Sequence, residues 1–235
     1  MQYSTFAAID IGSYDVILEI FEISKKQGIR SVDKICHRME LGKDTYTLGK
    51  IRPEMEEELC RVLADFVRIM EGYRVDDYRA TASSAISEAS NSLYVLGKIH
   101  QLTGLSVTVL SNSEQRFLSY KALAAMEDNF NKIIEKGTAI LDLDGGSFQI
   151  SLFDKDALVT TQNIRMGSLR IRERLAGIQS ETEHYEEMVE ELIWNEVSSF
   201  KKMYLKDRKI ENIMLIGDVF TDSVYQNIEE KTTKI

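Results

Sequence analysis

The chain has little of what builds a covalently or metal-stapled framework. It contains two cysteines, Cys36 and Cys60, too few for a disulfide lattice or a zinc cage. It contains one proline, Pro53, and no Gly/Ser-rich stretch, so structured elements rather than a tether are expected to join its parts. No apolar run reaches the roughly 18 residues of a membrane span. The opening Met-Gln-Tyr-Ser-Thr-Phe-Ala-Ala has no basic stretch ahead of an apolar core, so no signal peptide is predicted. With the cysteine usage, this gives a cytoplasmic expectation. Positive charge is also scarce: 29 Lys and Arg stand against 38 Asp and Glu, a net charge of −9. A nucleic-acid binder should show a basic footprint, so the charge speaks against that class, and neither a nucleic-acid nor a membrane partner is expected. A small phosphorylated ligand remains compatible, because a few backbone N–H groups and one cation bind phosphate locally.

What is present suits a soluble globular protein. Of the 235 residues, 43% are hydrophobic and 29% charged, enough for one large or two small cores. Phe6–Asp10 is a short apolar run ending in an acid and a Gly12-Ser13 turn, and Val16–Phe21 reads as the returning strand. Ser31–Glu40 is a third strand. Pro53 opens a helix with Met55, Leu59, Val62, Leu63, Phe66 and Met70 at helical spacing. A strand at Tyr78–Ala82, one helix over Ala85–Leu102, a strand at Ser106–Leu110 and a helix from Ser113 complete this half.

The pattern then restarts. Thr138–Asp142 is a strand ending in an acid, followed by Gly145-Gly146-Ser147, a returning strand Gln149–Phe153 and a third at Leu158–Met166. A helix follows Gly167, a long one spans Glu181–Tyr204, and Ile213–Gly217 is a further strand. Asp10 and Asp142 lie about 130 residues apart, a domain-sized repeat rather than a solenoid.

A strand that ends in Asp and turns through glycine presents backbone N–H groups with no side chain in the way. Gly12 and Ser13 in one turn, and Gly145, Gly146 and Ser147 in the other, are therefore candidate phosphate ligands. Asp10 and Asp142, at the strand ends, are placed to hold Mg²⁺ or its waters.

These motifs resemble those of the exopolyphosphatase / guanosine-pentaphosphate phosphohydrolase family. Asp10-Ile11-Gly12-Ser13 is similar to that family's Asp-Leu/Ile-Gly-Ser-Asn-Ser. Ala82–Asn91 resembles Ala-Thr-Ser-Ala-Leu-Arg-Glu-Ala-x-Asn, and Val109–Gln115 resembles Val-Ile-Ser-Gly-x-Glu-Glu. Asp142–Gln149 is similar to Asp-Ile-Gly-Gly-Gly-Ser-Thr-Glu, and Gly167–Glu173 to Gly-Ala-Val-Arg-Leu-Thr-Glu. The resemblance implies a duplicated actin-like (ribonuclease H-like) α/β fold, two domains with a cleft between them, over residues 1–130 and 131–235. The second is expected to be incomplete at its C-terminal end. It also implies phosphoanhydride hydrolysis of inorganic polyphosphate or guanosine pentaphosphate with Mg²⁺, and a homodimer.

The departures bear on catalysis. Gln115 stands where the family has the second Glu of its Glu-Glu pair, which positions the attacking water; a one-residue slip would put Glu114 there instead. Gln149 replaces the Glu that ends the second glycine motif. Ser87 replaces an Arg, Asp144 a Gly and Tyr14 an Asn. Gly217–Thr221 lacks the glycine-rich turn, and with it the adenosine pocket of a sugar kinase. A general base typically contributes ~10²–10⁴ in rate, yet a glutamine can orient water in the loose transition state of phosphoryl transfer. Weakened catalysis is therefore expected, with two alternatives open: a ligand-binding member without turnover, and a protein-interaction member. Cys36-His37, His100 and His184 lack metal spacing. Arg170, Arg172 and Arg174 read as a solvated helical face, and Glu54–Glu58 as the acidic first turn of a helix.

Overall fold

The computed structural model describes residues 3–126, 130–179, 184–206 and 208–217. The chain divides into two compact units, residues 1–115 and 116–235.

Unit 1 opens with β1 (Ser4–Ile11), β2 (Asp15–Ser24) and β3 (Gly28–Arg38), an antiparallel meander. Next come α1 (Leu41–Leu48) and α2 (Pro53–Tyr73), then β4 (Asp77–Ala82), α3 (Ser84–Ser87), α4 (Ser92–Thr103) and β5 (Val107–Val109). β4 lies parallel to β1 and β5 parallel to β4, so the sheet order is β3-β2-β1-β4-β5. Ala7, Ile9 and Ile11 of β1 alternate inward and meet Val16, Leu18 and Ile20 of β2, all of them fully buried or nearly so. α2 covers them with Leu59, Val62, Leu63, Phe66 and Met70. Each such side chain contributes about 1.5–3 kcal/mol on burial. Pro53 at the first turn starts α2, and Arg74 in the left-handed conformation ends it.

The helix expected over Ala85–Leu102 is two helices. Asn91 breaks it: its side chain accepts the Ile51 N–H (3.0 Å) and donates to Ile51 O and Glu56 Oε1 (both 2.8 Å). That tie fixes the α1–α2 connection and outweighs local helix propensity. α1 was not legible as a helix. Its Gly, Asp and two Thr are weak helix formers, and it is held instead by buried Leu41 and by Asp44, which binds the Arg52 backbone (2.9 Å) and guanidinium (2.8 Å).

α5 (Asn112–Met126) contains the division between the units. Unit 2 continues with α6 (Phe130–Ile134), β6 (Thr138–Leu143), β7 (Phe148–Asp154), β8 (Ala157–Ile164), α7 (Ser168–Gln179), α8 (Tyr185–Tyr204) and β9 (Asn212–Ile216). The sheet order is β8-β7-β6-β9, with β6, β7 and β8 antiparallel and β9 parallel to β6. This repeats the first four strands of unit 1 in order and direction. One face packs Phe148, Ile150, Leu152 and Ile164 with Phe200 of α8. The other packs Ile140 and Phe153 with Phe130, Ile134 and Tyr120, the Tyr120 and Phe153 rings meeting edge-on at 5.2 Å. β9 ends at Gly217 (φ +124°), where a Cβ would fall 1.8 Å from Leu143 O, so only glycine lets it close against β6. The expected helix start at Glu181 and the turn beyond Gly217 lie outside the described residues.

Candidate functional site: two hairpin loops and the start of a helix

Strand register makes the repeat explicit. Asp10 pairs with Ile17 across β1–β2, and Asp142 pairs with Gln149 across β6–β7, each one residue before its loop-facing pair. The loops between, Gly12-Ser13-Tyr14-Asp15 and Asp144-Gly145-Gly146-Ser147, have the same length. They also close alike, Gly12 N–H donating to Asp15 O (2.9 Å) and Asp144 N–H to Ser147 O (3.0 Å). Ser13 thus corresponds to Gly145 rather than to Ser147, and Ser147 corresponds to Asp15. Each closing pair contains one aspartate, at opposite ends of the two loops.

In each unit the chain entering the helix after the third strand, α1 or α7, anchors the hairpin by its carbonyls. Ser13 O accepts from Gly42 N–H, and Tyr14 O accepts from Met39 and Glu40 N–H, all at 2.9 Å. In unit 2, Asp144 O accepts from Ser168 N–H (3.2 Å) and Gly145 O from Arg170 N–H (3.1 Å). Gly167 is required here, because a Cβ would come within 2.4 Å of Asp144 O and the Gly145 carbonyl.

Arg170 is more than part of a solvated face. Its Nε donates to Gly146 O at 2.8 Å and clamps the loop. The alignment of Gly167-Ser168-Leu169-Arg170 with a family segment was the signal that could have shown this. Arg172 pairs with Glu173 (2.9 Å).

Ser13 does not offer its hydroxyl to solvent. It is fully buried, 2.7 Å from the Tyr46 hydroxyl and 3.3 Å from Ser84 Oγ, with Tyr46 and Ser84 2.8 Å apart. Tyr46 comes from α1, the helix that sequence reasoning did not find. Asp15 Oδ1 is buried and lacks a hydrogen-bond partner among the described residues. In the second hairpin, Asp144 Oδ1 accepts the Gly145 N–H at 2.6 Å, so one loop amide already holds an oxyanion.

The two strand-end acids differ. Asp10 is exposed, with Thr81 Oγ1 3.4 Å away. Asp142 is largely covered and accepts from Ser119 Oγ of α5 at 3.2 Å. Burial raises its carboxyl above the ordinary range; the Ser119 hydroxyl pulls against that, and the Asp144 charge adds to it. Gln149 beside it is 6% exposed.

The start of α5 separates Glu114 from Gln115. Ser111 is the N-cap, and its N–H and hydroxyl donate to Glu114 Oε2 (2.9 and 2.8 Å), while Glu114 N–H approaches Ser111 Oγ at 3.3 Å. This reciprocal capping box occupies the Glu114 carboxylate and holds its carboxyl below the ordinary range. Gln115 lies on another side of the helix, one turn before Ser119 on the same face. From residue 116 the helix is pinned to the second sheet: Arg116 Nη1 donates to Thr161 Oγ1 (3.0 Å) and the Tyr120 hydroxyl to Ser151 Oγ (2.5 Å).

No three His, Cys, Asp or Glu side chains converge as a metal cage among the described residues. Mg²⁺ usually keeps several waters and uses one or two carboxylates plus substrate phosphates, so a single strand-end aspartate is the kind of ligand it takes. Among the described residues no helix is long and apolar enough to cross a membrane.

The strand–hairpin–strand unit, repeated with the same sheet order and direction, is the architecture of the actin-like class of folds. The chain belongs to the Ppx/GppA phosphatase family, whose profile matches residues 19–234. It is 22% identical over 238 residues to the bifunctional 3-dehydroquinate synthase/phosphatase of Fusobacterium nucleatum subsp. nucleatum, covering 96% of this chain and 34% of that protein. It is 25% identical over 144 residues to exopolyphosphatase 1 of Mycobacterium leprae, covering 61% of this chain and 41% of that protein. The chain thus spans less than half the length of these curated relatives. In structure it is similar to the crystallised Ppx/GppA family member of Aquifex aeolicus, with a TM-score of 0.71 and 22% identity, covering 97% of this chain and 71% of that one. The fold is the duplicated actin-like one that the motifs implied.

Proposed function

We propose that this protein is a phosphoanhydride hydrolase of the exopolyphosphatase type, with weakened turnover, acting on the terminal phosphate of inorganic polyphosphate or guanosine pentaphosphate. The observation that supports this reading is the pair of equal-length hairpins, closed by equivalent backbone bonds and each with carbonyls engaged by the segment that leads into a helix. Asp10 or Asp142 would hold Mg²⁺, which would supply charge neutralisation at the phosphate oxygens. Gly12 and Ser13, and Gly145, Gly146 and Ser147, line the two loops. Gln115 orients the attacking water as an amide that neither gains nor loses a proton. Glu114, tied to Ser111, is a poor base. Gln149 is an uncharged neighbour for Asp142 where the related motif has a carboxylate.

A second reading, a phosphate-ligand binder without turnover, is favoured by one observation: the Gly145 amide and the Ser13 hydroxyl are both already engaged.

Phosphate release from long-chain polyphosphate and from guanosine pentaphosphate with Mg²⁺ separates the readings. The comparison is between the chain, a Gly146→Asp control and the double variant Gln115→Glu/Gln149→Glu. Release above the control is expected from the unmodified chain, with the double variant faster by about 10²-fold or more. Release from the double variant alone would establish the binder. Silence from both folded proteins would overturn phosphate chemistry altogether.

A further inference from the structure

We propose that Asp144 is an internal anion that competes with phosphate for the second hairpin, so that a polyphosphate terminus binds only once this carboxylate leaves the Gly145 amide. The inference rests on reading the hairpin as a phosphate site. It starts from one contact, Asp144 Oδ1 accepting the Gly145 N–H at 2.6 Å, a carboxylate oxygen on a loop amide.

The contact is not needed to build the loop. The first hairpin has the same length and the same closing bond, 2.9 Å against 3.0 Å, with Gly12 where the second has Asp144. A hairpin of this shape therefore closes without a side-chain carboxylate. Nor is the backbone at residue 144 strained, because it is not among the positive-φ positions. What the aspartate adds is an oxyanion at a loop amide.

The carboxylate is also well placed to stay there. The Asp144 backbone is held at both its ends, by its N–H to Ser147 O and by its carbonyl to Ser168 N–H. The side chain thus starts from a fixed point one residue from the amide it binds, and an intramolecular ligand of this kind acts at high effective concentration. Ligands of low charge should be excluded first. A polyanion gains more from the remaining donors and displaces the carboxylate more readily.

The test is calorimetric titration with sodium tripolyphosphate at fixed ionic strength, on the full chain, Asp144→Asn and Asp144→Gly. Asp144→Asn is nearly isosteric and removes only the charge; Asp144→Gly reproduces the first hairpin. Asp65→Asn, an exposed α2 residue paired with Arg68, controls for net charge. The Gly145 amide resonance provides a second readout, since it should move on titration at lower ligand concentration in the Asp144 variants.

Affinity is expected to rise roughly ten- to a hundredfold in both Asp144 variants and to stay level in Asp65→Asn. If the unmodified chain binds and the Asp144 variants bind equally or more weakly, the competition is overturned while the phosphate site stands. If none of the four proteins binds, the hairpin is not a phosphate site and both readings fall.

Discussion

Gln149 and Asp142 stand directly opposite each other on β7 and β6, on the face of the second sheet that α5 covers with Ser119 and Tyr120. Directly paired residues in an antiparallel ladder have Cβ atoms about 4.5–5.5 Å apart, close enough for two charges to matter. An amide beside a half-buried carboxyl with a raised pKa avoids a like-charge pair. In unit 1 the same register position holds Ile17, opposite the exposed Asp10. The two halves therefore kept one geometry and diverged in electrostatics.

Gln149→Glu should consequently destabilise the protein without a cation. Two carboxylates this close in a covered site cannot both ionise freely. A loss of about 1–3 kcal/mol at pH 8, or roughly 2–12 °C in Tm for a chain of this size, is expected, with recovery on adding Mg²⁺. Thermal unfolding with and without Mg²⁺ checks it; an unchanged Tm would show that the site is wetter than its burial suggests.

Asp142→Asn has a pH signature. Burial raises the folded-state pKa of Asp142 above its unfolded value. Its contribution to stability is thus fully present below the unfolded value, about 3.9, and is lost as pH rises through the raised folded value. The asparagine variant has no such loss. It should be more stable than the parent at pH 7–8, with the gap closing as pH falls toward about 4. Urea midpoints across that range measure it. Hydrolysis should fall in the same variant, because the proposed Mg²⁺ ligand is gone.

Ser111→Ala removes the N-cap of α5 and should cost about 0.5–2 kcal/mol. It also removes one of the two donors on the Glu114 carboxylate and leaves the backbone N–H, so the Glu114 pKa should climb only part of the way toward the ordinary glutamate range, read from its side-chain NMR titration. Any residual hydrolysis should persist in Glu114→Gln. Abolition there would make Glu114 the water-positioning group.

Gly167→Ala, just before α7, and Gly177→Ala, within it, form a contrast. A Cβ at 167 runs into the second hairpin's backbone, whereas one at 177 meets nothing within 4 Å. Alanine at 177, an exposed helical site, should stabilise by about 0.4–1 kcal/mol. Alanine at 167 should displace the loop, lowering Tm and abolishing tripolyphosphate binding. Equal behaviour of the two would mean that the hairpin is not held by α7.

Some positions were legible in the sequence for physical reasons. The alternation Ala7, Ile9, Ile11 has the period of a half-buried strand, and Leu59, Val62, Leu63, Phe66 and Met70 have the period of a helix. Each signals its own structure because local period and burial agree. Asp10 and Asp142 were found as equivalents because both sit at the same step of a repeated pattern. α1 and the break at Asn91 were hidden, since neither follows from local propensity: one is held by Asp44–Arg52, the other by Ile51 and Glu56.

The sequence by itself determined the repeat, the strand and helix faces and the family, because these are encoded in spacing along the chain. Only the tertiary structure decided what the candidate ligands are free to do. Ser13 is spent on Tyr46 and Ser84, Asp144 on the Gly145 amide, Glu114 on Ser111, and Arg170 on the Gly146 carbonyl. A residue's type announces that it can donate or accept. Whether that capacity is already satisfied depends on which groups the fold brings within about 3 Å, and residues as distant in sequence as 13, 46 and 84 meet only in three dimensions.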